Sequence, residues 1–314
     1  MNPSSTPSIG CAIITHCAKH HLSHCLPPLL NSSLKPRVVV VNSSSNDGTV
    51  ELAQSMGAET LLIPRHEFNH GITRERARQY LGTDIVVMLT PDAYLVDKYS
   101  LEKLITPIAN GYASAAYARQ LPHIGADFFE AFPREYNYPN HSHIRSIENV
   151  DRYGVYTFFC SNSCAAYSNR IMDEIGGFQR VLLGEDTLAI ASMLRKGYKI
   201  AYVAEAQVRH SHRYTLLEEF RRSFDTGLAR KSYACVLACN SSDSKRGWDY
   251  AQVMAKRLLK EAPQKLPYAI GQVFAKWMGY QLGKRSIHAP LWWKKKLSTQ
   301  DFFWASLDKE KKES

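Results

Sequence analysis

The chain of 314 residues lacks the features of a membrane-spanning or exported protein. No apolar run reaches the roughly 18 residues that a spanning helix requires. Its seven cysteines are an odd number without repeating spacing, which argues against a disulfide framework and favours reduced thiols in the cytoplasm. The first residues, MNPSSTPSIG, lack the basic end and apolar centre of a secretion signal. We therefore expect a cytoplasmic protein without a spanning segment.

Acidic residues are scarce near the end of the chain. Residues 245–314 hold 15 Lys and Arg against 6 Asp and Glu, which accounts for +9 of the net charge of +10. All five tryptophans lie there too: Trp248, Trp277, Trp292, Trp293 and Trp304. Basic residues with Trp are typical of a segment lying in an anionic membrane interface. We expect residues 241–314 to form a helical region on the inner face of the cell membrane.

Two other interpretations of this basic region compete with the membrane interface. One is a solvated helical appendage, and the other is nucleic-acid binding through the positive charge. The region contains no helix-turn-helix, zinc-finger or RNP motif. We therefore expect no nucleic-acid partner.

The first 100 residues alternate between strand and helix patterns. The apolar runs IGCAIITH, RVVVVN, TLLIP and DIVVMLT are separated by helix-like segments, and Gly57 and Gly82 are expected to end two of those helices. This alternation predicts an α/β fold with a Rossmann-like, mostly parallel sheet flanked by helices. Ligands bind beyond the carboxyl ends of strands in such sheets. Loops starting at Thr15, Asn42 and Thr90 are expected to meet there.

Two loops in this half have the composition of phosphate or nucleoside sites. The stretch NSSSNDGT after a strand offers hydroxyls, amides and a helix start, although Asp47 could simply cap that helix. In FNHGITR, Gly71 permits close backbone approach and Arg74 lies in the first helical turn, where the helix dipole disfavours a cation. A bound diphosphate would compensate Arg74, and simple solvation is the alternative.

Carboxylates and histidines suggest a second set of functional groups. Asp92 follows the buried run VVMLT, and Glu185 and Asp186 open a helix in GEDTLAI, where one acid can cap and the other can serve as a general base. His210 and His212 share one face at a spacing of two and either can bind a metal. The stretch HCAKHHLSHC could be interpreted as a zinc site, but its cysteines lie on other helix faces and Pro27 soon follows.

In order along the chain, the motifs NSSSNDGT, FNHGITR, LTPDA, ARQLP, FFCSNSCAAY, GGFQ, GEDTLAI and HSHRY resemble bacterial family 2 glycosyltransferases. The resemblance covers roughly residues 8–230 and is strongest to the rhamnosyltransferase-like branch. It implies a GT-A fold, a nucleotide-sugar donor, a divalent cation (Mg²⁺ or Mn²⁺) and inversion at the anomeric carbon. Three positions depart from the family pattern: Asn42 and Thr90 stand where Asp is usual, and Glu75 stands where the branch often has Asn.

The resemblance also implies roles for individual residues. It assigns to the nucleotide-sugar Thr15, Asn42, Ser44, Asp47, Asn69, Gly71, Thr73, Arg74, Pro91, Asp92 and Ala93. It assigns to the sugar or the acceptor Arg119, Gln120, Ser161, Asn162 and Ser163. The catalytic pair is Glu185 and Asp186, with Asp186 as the favoured base, and the metal ligands are Asp92 with His210 or His212.

The predicted activity is therefore that of an inverting hexosyltransferase. The favoured donor is dTDP-rhamnose, and the acceptor is a saccharide or lipid-linked saccharide in the synthesis of a cell-surface polysaccharide. A GT-A enzyme using a UDP- or GDP-sugar is one alternative, and a degenerate domain that binds nucleotide or membrane without activity is another. We expect residues 1–240 to form the catalytic domain and residues 241–314 the basic, Trp-rich helical region.

Overall fold

The computed structural model describes residues 6–237 and 243–313, and the side chains of residues 6–237 and 246–307. The chain forms two units. Unit 1 comprises the described residues up to Asn149, Thr157–Arg180 and Glu185–Ser211, and unit 2 comprises Val150–Tyr156, Val181–Gly184 and the described residues from His212 onward. The predicted domain boundary between residues 240 and 241 lies outside the described residues, and the division at that point stays a prediction.

Unit 1 is built on a mixed sheet. In chain order the strands found in the described residues are β1 (Ile9–Thr15), β2 (Arg37–Asn42), β3 (Glu59–Leu62), β4 (Ile85–Leu89), β5 (Tyr94–Leu95), β6 (Ala115–Leu121), β7 (His143–Arg145), β8 (Cys164–Ser168) and β9 (Ile200–Arg209). The spatial order is β3-β2-β1-β4-β8-β6-β9-β5, and β7 also pairs with β9.

The helices in the described residues follow the same convention. They are α1 (Lys19–Leu30), α2 (Thr49–Ser55), α3 (His70–Leu81), α4 (Ser100–Ala109), α5 (Phe128–Asn137), α6 (Val150–Tyr153), α7 (Asn169–Glu174), α8 (Glu185–Arg195), α9 (Leu216–Ser232), α10 (Ala234–Leu237), α11 (Asp243–Glu261), α12 (Leu266–Arg285), α13 (Leu291–Leu297) and α14 (Asp301–Glu313). Unit 2 contains α6 and the helices from α9 onward.

Most strands run in one direction, as predicted. β3, β2, β1 and β4 pair in parallel, and β6 and β9 run the same way. Only β8, inserted between β4 and β6, and the short β5 and β7 run against them in the described sheet. The α/β, mostly parallel architecture flanked by helices is therefore confirmed. The antiparallel β8 was not anticipated from the sequence.

The apolar runs form the strands because they are buried on both faces. All seven residues of β1 and all five of β4 are buried, as expected for sheet strands covered by helices. Leu22 and Leu26 of α1, together with Leu101 and Leu104 of α4, belong to one core cluster with these strands. Gly82 ends α3 with a φ of +57°, a left-handed conformation that glycine adopts without strain, so this predicted helix end is confirmed.

The sheet brings the candidate residues to one edge. The register pairs Thr15 with Asn42 at the carboxyl ends of β1 and β2. The β6–β9 pairing is interrupted after Ala118, and the pairing that follows sets Gln120 opposite Val208, two residues before His210. The loops after β1, β2, β4, β6 and β9 therefore open at the edge predicted to bind the ligand.

Unit 2 is helical in its described part. Helix α9 begins with a capping box, in which the Glu218 backbone amide donates to Thr215 Oγ1 and the Thr215 amide donates to the Glu218 carboxylate. None of the helices in the described ranges is both long enough and apolar enough to cross a membrane.

Helices α9 and α12 approach each other very closely in unit 2. A Cβ atom added to Gly279 would lie 2.2 Å from the backbone oxygen of Phe220, and one added to Gly283 would lie 2.0 Å from that of Phe224. Glycine at these positions lets the two backbones touch. The contact between α9 and α12 therefore requires residues without a side chain at positions 279 and 283.

Gly279→Ala is expected to lower the free energy of unfolding of unit 2 by about 1–3 kcal/mol, because the added methyl group overpacks a backbone contact. Urea unfolding monitored by circular dichroism measures the change. Gly247→Ala in α11 is the matched control, since nothing lies within 4 Å of its added Cβ. That control should be neutral or stabilising by up to about 1 kcal/mol. Equal effects of the two substitutions would contradict the close α9–α12 contact.

Candidate active site

The loop after β2 is held together by its own polar side chains. Asn42 is fully buried; its amide nitrogen donates to Thr15 Oγ1 (3.2 Å) and Ser45 Oγ (2.8 Å), and its oxygen accepts from the Ser45 backbone amide (2.8 Å). Ser44 has a positive φ of 54° and donates its hydroxyl to the Ile63 carbonyl. Asn42 thus shapes the predicted nucleotide loop, and its contact with a base stays a prediction.

Asp47 anchors the other end of this loop. Oδ1 accepts from the Thr49 hydroxyl (2.6 Å) and from Ser45 Oγ (2.8 Å), and Oδ2 accepts from the Lys19 backbone amide (3.1 Å). Partial burial opposes ionisation, but these hydrogen bonds outweigh it and lower the pKa of Asp47 well below its usual range. Asp47 is therefore a carboxylate that ties the β2 loop to the start of α1.

The start of α3 is capped rather than open. Asn69 Oδ1 accepts from the backbone amides of Gly71 (3.0 Å) and Ile72 (3.1 Å), and the Asn69 amide donates to Thr73 Oγ1 (3.4 Å). A Cβ atom on Gly71 would lie 1.9 Å from the Gln179 backbone oxygen. Gly71 thus allows the start of α3 to approach the backbone at Gln179.

Arg74 takes part in a buried ion pair that the sequence did not indicate. Its Nη1 donates to Glu185 Oε1 at 2.8 Å, and the two side chains are 5% and 7% exposed. Asn162 Nδ2 donates to the same carboxylate oxygen at 2.9 Å. Three predicted site residues from separate motifs therefore meet. A contact between Arg74 and a diphosphate stays a prediction.

Arg74→Met is expected to lower the free energy of unfolding by about 3–5 kcal/mol, because it leaves the Glu185 carboxylate buried without its cation. Chemical denaturation measures this loss. Arg76→Met is the matched control: Arg76 pairs with Glu67 at 2.9 Å, but the side chains are 47% and 42% exposed. Its loss should stay below about 1 kcal/mol. Similar small losses for both variants would contradict a structural role for the buried pair.

Asp186 has a different environment from Glu185. Its Oδ1 accepts from the Thr187 backbone amide (2.7 Å), and its Oδ2 accepts weakly from the Asn162 backbone amide (3.3 Å). Burial and the neighbouring Glu185 charge raise the pKa of Asp186 to about 7. Burial also opposes ionisation of Glu185, but Arg74 lowers the pKa of that carboxyl. One acid is held ionised while its neighbour titrates near neutral pH, as an acid–base catalyst requires.

Asp92 and His210 lie side by side at the same edge. Asp92 Oδ2 is 3.4 Å from His210 Nε2, and both side chains are largely buried. His210 Nδ1 lies 2.9 Å from Gln120 Oε1, which also accepts from Arg134 Nη1 at 2.6 Å. Because arginine only donates, this Gln120 atom is the oxygen, so His210 Nδ1 carries a proton and donates to it. The other ring nitrogen of His210, Nε2, faces Asp92.

The residues of this pair fit a divalent cation. Asp92 and His210 offer a carboxylate oxygen and a ring nitrogen to a shared cation, and His212 follows Ser211, the last residue of unit 1. A histidine that donates its second ring N–H to a carbonyl oxygen is the usual arrangement around a metal. Thr90 Oγ1 is buried and has no hydrogen-bond partner among the described residues. This group therefore has suitable donor atoms and a fixed histidine tautomer.

The turn LTPDA presents Asp92. Thr90 donates its amide to the Ser163 carbonyl (3.3 Å), and Ala93 donates its amide to the Thr90 carbonyl (3.1 Å), which closes the turn around Pro91. Thr90, which stands where the family pattern usually has a second acid, is thus part of a tight turn.

Hydrogen bonds link several of the residues assigned to the sugar or the acceptor. Gln120 Nε2 donates to Ser161 Oγ (2.8 Å), and Ser161 donates to Ser163 Oγ (3.3 Å). Asn162, besides its contact with Glu185, accepts from the Tyr167 hydroxyl at 2.7 Å. The Arg119 Nε atom is buried without a hydrogen-bond partner in the described chain. Direct contacts of these residues with a sugar stay predictions.

Sequence reasoning missed several neighbours of this site. Arg134 fixes Gln120, and nothing in its own motif signals that role. Tyr94 forms a 2.6 Å hydrogen bond with His21, and its ring lies 5.1 Å from that of His123 between centroids, tilted by 53°. Burial, followed by the neighbouring His210, lowers the pKa of His123. The spacing of Tyr94, two residues after Asp92 on β5, was a signal that could have placed it here.

Solved structures share this fold at low sequence identity. Mannosyltransferase PcManGT from Pyrobaculum calidifontis, solved in complex with GDP-Man and Mn²⁺, matches with a TM-score of 0.57 and 16% identity over 98% of this chain and 88% of that chain. TarS 1-349 from S. aureus matches with a TM-score of 0.54 and 13% identity over 98% and 92% of the two chains. The chain therefore has a fold of the GT-A type.

Sequence comparison gives the family. The family model for "Glycosyl transferase family 2" matches residues 11–176. The O-antigen chain rhamnosyltransferase RfbN of Salmonella typhimurium is 37% identical over 258 residues, which span 81% of this chain and 82% of that protein. WbaN of Salmonella anatum, another O-antigen chain rhamnosyltransferase, is 37% identical over 257 residues with the same coverage. The chain belongs to glycosyl transferase family 2 and is a glycosyltransferase.

Proposed function

We propose that the chain transfers L-rhamnose from dTDP-rhamnose to a saccharide or lipid-linked saccharide, with inversion, in the synthesis of a cell-surface polysaccharide. The observation that carries the proposal is the 37% identity to two O-antigen chain rhamnosyltransferases over 81% of this chain. The paired carboxylates Glu185 and Asp186 and the group around Asp92 supply the chemistry that such a transfer needs.

In the proposed reaction Asp186 is the general base. It takes the proton from the acceptor hydroxyl while that oxygen forms its bond to the anomeric carbon, and the bond from that carbon to the diphosphate oxygen breaks. The Thr187 amide orients the Asp186 carboxylate, and Glu185, kept ionised by Arg74, raises its proton affinity. dTDP leaves from the opposite side of the sugar, which inverts the anomeric centre.

The leaving group requires positive charge. Asp92 and His210, with His212 as a further candidate, would hold Mg²⁺ or Mn²⁺. When bound, the cation supplies charge that offsets the departing diphosphate. Gln120 keeps His210 in the tautomer with Nε2 as an acceptor, and Arg134 keeps Gln120 in place.

The rate of the proposed reaction should depend on Asp186 ionisation. A base acts only when deprotonated, and the pKa of Asp186 lies near 7 instead of its ordinary value near 4. We expect kcat/KM to rise about tenfold per pH unit between pH 5 and 6.5 and to level off above pH 7.5. Initial rates in constant-ionic-strength buffers measure this, with dTDP affinity followed in parallel. A rate that stays flat down to pH 5 would contradict the raised pKa.

A donor screen tests the choice of nucleotide-sugar. Thermal shifts of the full chain with Mg²⁺ or Mn²⁺ should be larger with dTDP-rhamnose than with UDP-glucose or GDP-mannose at equal concentrations. A larger shift with a UDP- or GDP-sugar would favour the alternative donor class. Binding without turnover of any donor would favour a degenerate nucleotide-binding domain.

We also propose that the protein works at the inner face of the cell membrane, where a lipid-linked acceptor is presented. The net charge of +9 over residues 245–314 and the five tryptophans in that region support this placement. An anionic bilayer would attract such a region.

A further inference from the structure

Helix α12 is apolar on two opposite faces. On one face Ala275, Gly279 and Gly283 are buried, and the two glycines lie against the backbone of α9. The other face carries large apolar side chains that remain in solvent. These are Ile270 (69% exposed), Phe274 (56%), Trp277 (58%) and Met278 (40%).

The exposed residues form one continuous stripe. Their positions follow the spacing i, i+4, i+7 and i+8, which places them on a single face of a helix. The rings of Phe274 and Trp277 lie 6.1 Å apart between centroids. A helix that is apolar all round is normally buried on every side. The α12 stripe is therefore a surface that fits a further apolar partner.

The charges around the stripe indicate which partner fits. Residues 262–300 contain seven Lys and Arg and no Asp or Glu. Lys284 and Arg285 are exposed at the carboxyl end of α12, within two turns of Trp277 and Met278. An apolar stripe bordered by cations and containing Trp matches the interface of an anionic bilayer. A second copy of the chain would bring two such cationic segments together, which electrostatic repulsion opposes.

We propose that the α12 stripe is the face that docks on an anionic lipid surface. Ile270, Phe274, Trp277 and Met278 enter the boundary between headgroups and acyl chains, and Lys284 and Arg285 contact lipid phosphates. The inference deepens the membrane association proposed above by naming the contact residues, and it is independent of the donor and of the transfer chemistry. It also distinguishes Trp277, which docks on the lipid, from Trp304, which is only 5% exposed and lies in the interior.

Vesicle binding by the full chain tests the proposal. Co-sedimentation should show binding to vesicles of phosphatidylcholine with about one third phosphatidylglycerol, and weak binding to phosphatidylcholine alone. Raising the salt from about 0.1 M to 1 M should weaken the binding, because the Debye length falls from about 10 Å to 3 Å. Equal binding to both vesicle types would overturn the assignment of an anionic surface.

A pair of double variants identifies the face. Phe274→Ser with Trp277→Ser should weaken binding to the anionic vesicles by at least about tenfold, since two large apolar side chains leave the interface. Leu62→Ser with Tyr112→Ser is the matched control, because these unit 1 residues are 61% and 64% exposed. The control should bind like the unchanged chain. Equal losses in both variants, or none in the α12 variant, would overturn the proposal.

Fluorescence gives a second measurement, on variants that each lack one exposed tryptophan. Lipids brominated on the acyl chain should quench Trp277, and Trp277→Phe should lower that quenching more than Trp248→Phe, which removes a tryptophan of α11 that is 66% exposed. Quenching that persists in Trp277→Phe would overturn the placement of α12.

Sedimentation velocity without lipid tests whether a second copy of the chain covers the stripe. A dimer that dissociates in the Phe274/Trp277 variant would assign the stripe to a second copy instead. Donor turnover in solution is measured on the same samples, so loss of docking is distinguished from failure of the proposed reaction.

Discussion

Asp186→Asn is expected to lower kcat for rhamnosyl transfer by about 10²–10⁴-fold with little change in donor affinity, because asparagine cannot accept the acceptor proton. The substitution keeps the size of the side chain. Its single side-chain oxygen can still accept from the Thr187 backbone amide, which makes the shorter of the two contacts to Asp186 (2.7 Å against 3.3 Å). Initial rates with saturating donor and acceptor, together with calorimetric binding of dTDP, separate a chemical defect from a binding defect.

A matched substitution controls for loss of a carboxylate elsewhere. Asp151 is exposed in α6, and Asp151→Asn should leave kcat unchanged. The pH dependence provides a further criterion: the residual activity of Asp186→Asn should no longer rise through pH 7. Full activity in Asp186→Asn would rule out this residue as the base.

Asp92→Ala should remove the dependence of the reaction on Mg²⁺ or Mn²⁺ and lower kcat/KM by about 10²–10³-fold. The change deletes a carboxylate oxygen that faces His210 at 3.4 Å, and a lost cation is worth several kcal/mol of charge stabilisation. Metal titrations of the initial rate, and Mn²⁺ binding followed by electron paramagnetic resonance, measure the effect directly in the presence and absence of donor.

The histidine variants decide how the site is built. His210→Ala should weaken Mn²⁺ binding as strongly as Asp92→Ala, since Gln120 orients its Nε2 towards that carboxylate. Gln120→Leu should weaken binding by about 10–100-fold through loss of that orientation. His288→Ala, at an exposed position between α12 and α13, serves as the matched histidine control and should leave Mn²⁺ affinity unchanged. If neither His210→Ala nor His212→Ala reduces metal dependence, the cation is held differently.

Much of unit 1 follows from local sequence. The apolar runs predict β1, β2, β3 and β4. β1, β2 and β4 are continuous apolar stretches because they are almost wholly buried, whereas β3 at the sheet edge is only partly buried. Glycine predicts the end of α3 because few other residues adopt the left-handed conformation that Gly82 has. The pairing of Asp92 with His210 or His212 is predicted by the family resemblance, and Asp92 lies 3.4 Å from His210 in the structure.

The interactions that were not predicted are non-local. Arg74 and Glu185 are 111 residues apart, and each motif alone offers a simpler explanation by solvation or capping. The direction of β8 depends on its pairing with β4 and β6, which leaves no trace in its own composition. The hydrogen bond from His210 to Gln120 depends on the interruption of the β6–β9 pairing after Ala118. Some residues that were predicted to bind the nucleotide-sugar therefore make contacts within the chain: Arg74 pairs with Glu185, and Asn69 caps α3.

The most direct test of the proposed function measures dTDP release from dTDP-rhamnose by the purified chain, with a lipid-linked saccharide extract and Mg²⁺ or Mn²⁺. We expect rhamnose to appear in the lipid fraction in an amount equal to the dTDP released, and both products to be lost with EDTA or with Asp186→Asn. Turnover of UDP- and GDP-sugars should be much slower. Binding of dTDP without transfer from any of these donors would contradict the proposal that this site is a rhamnosyltransferase active site.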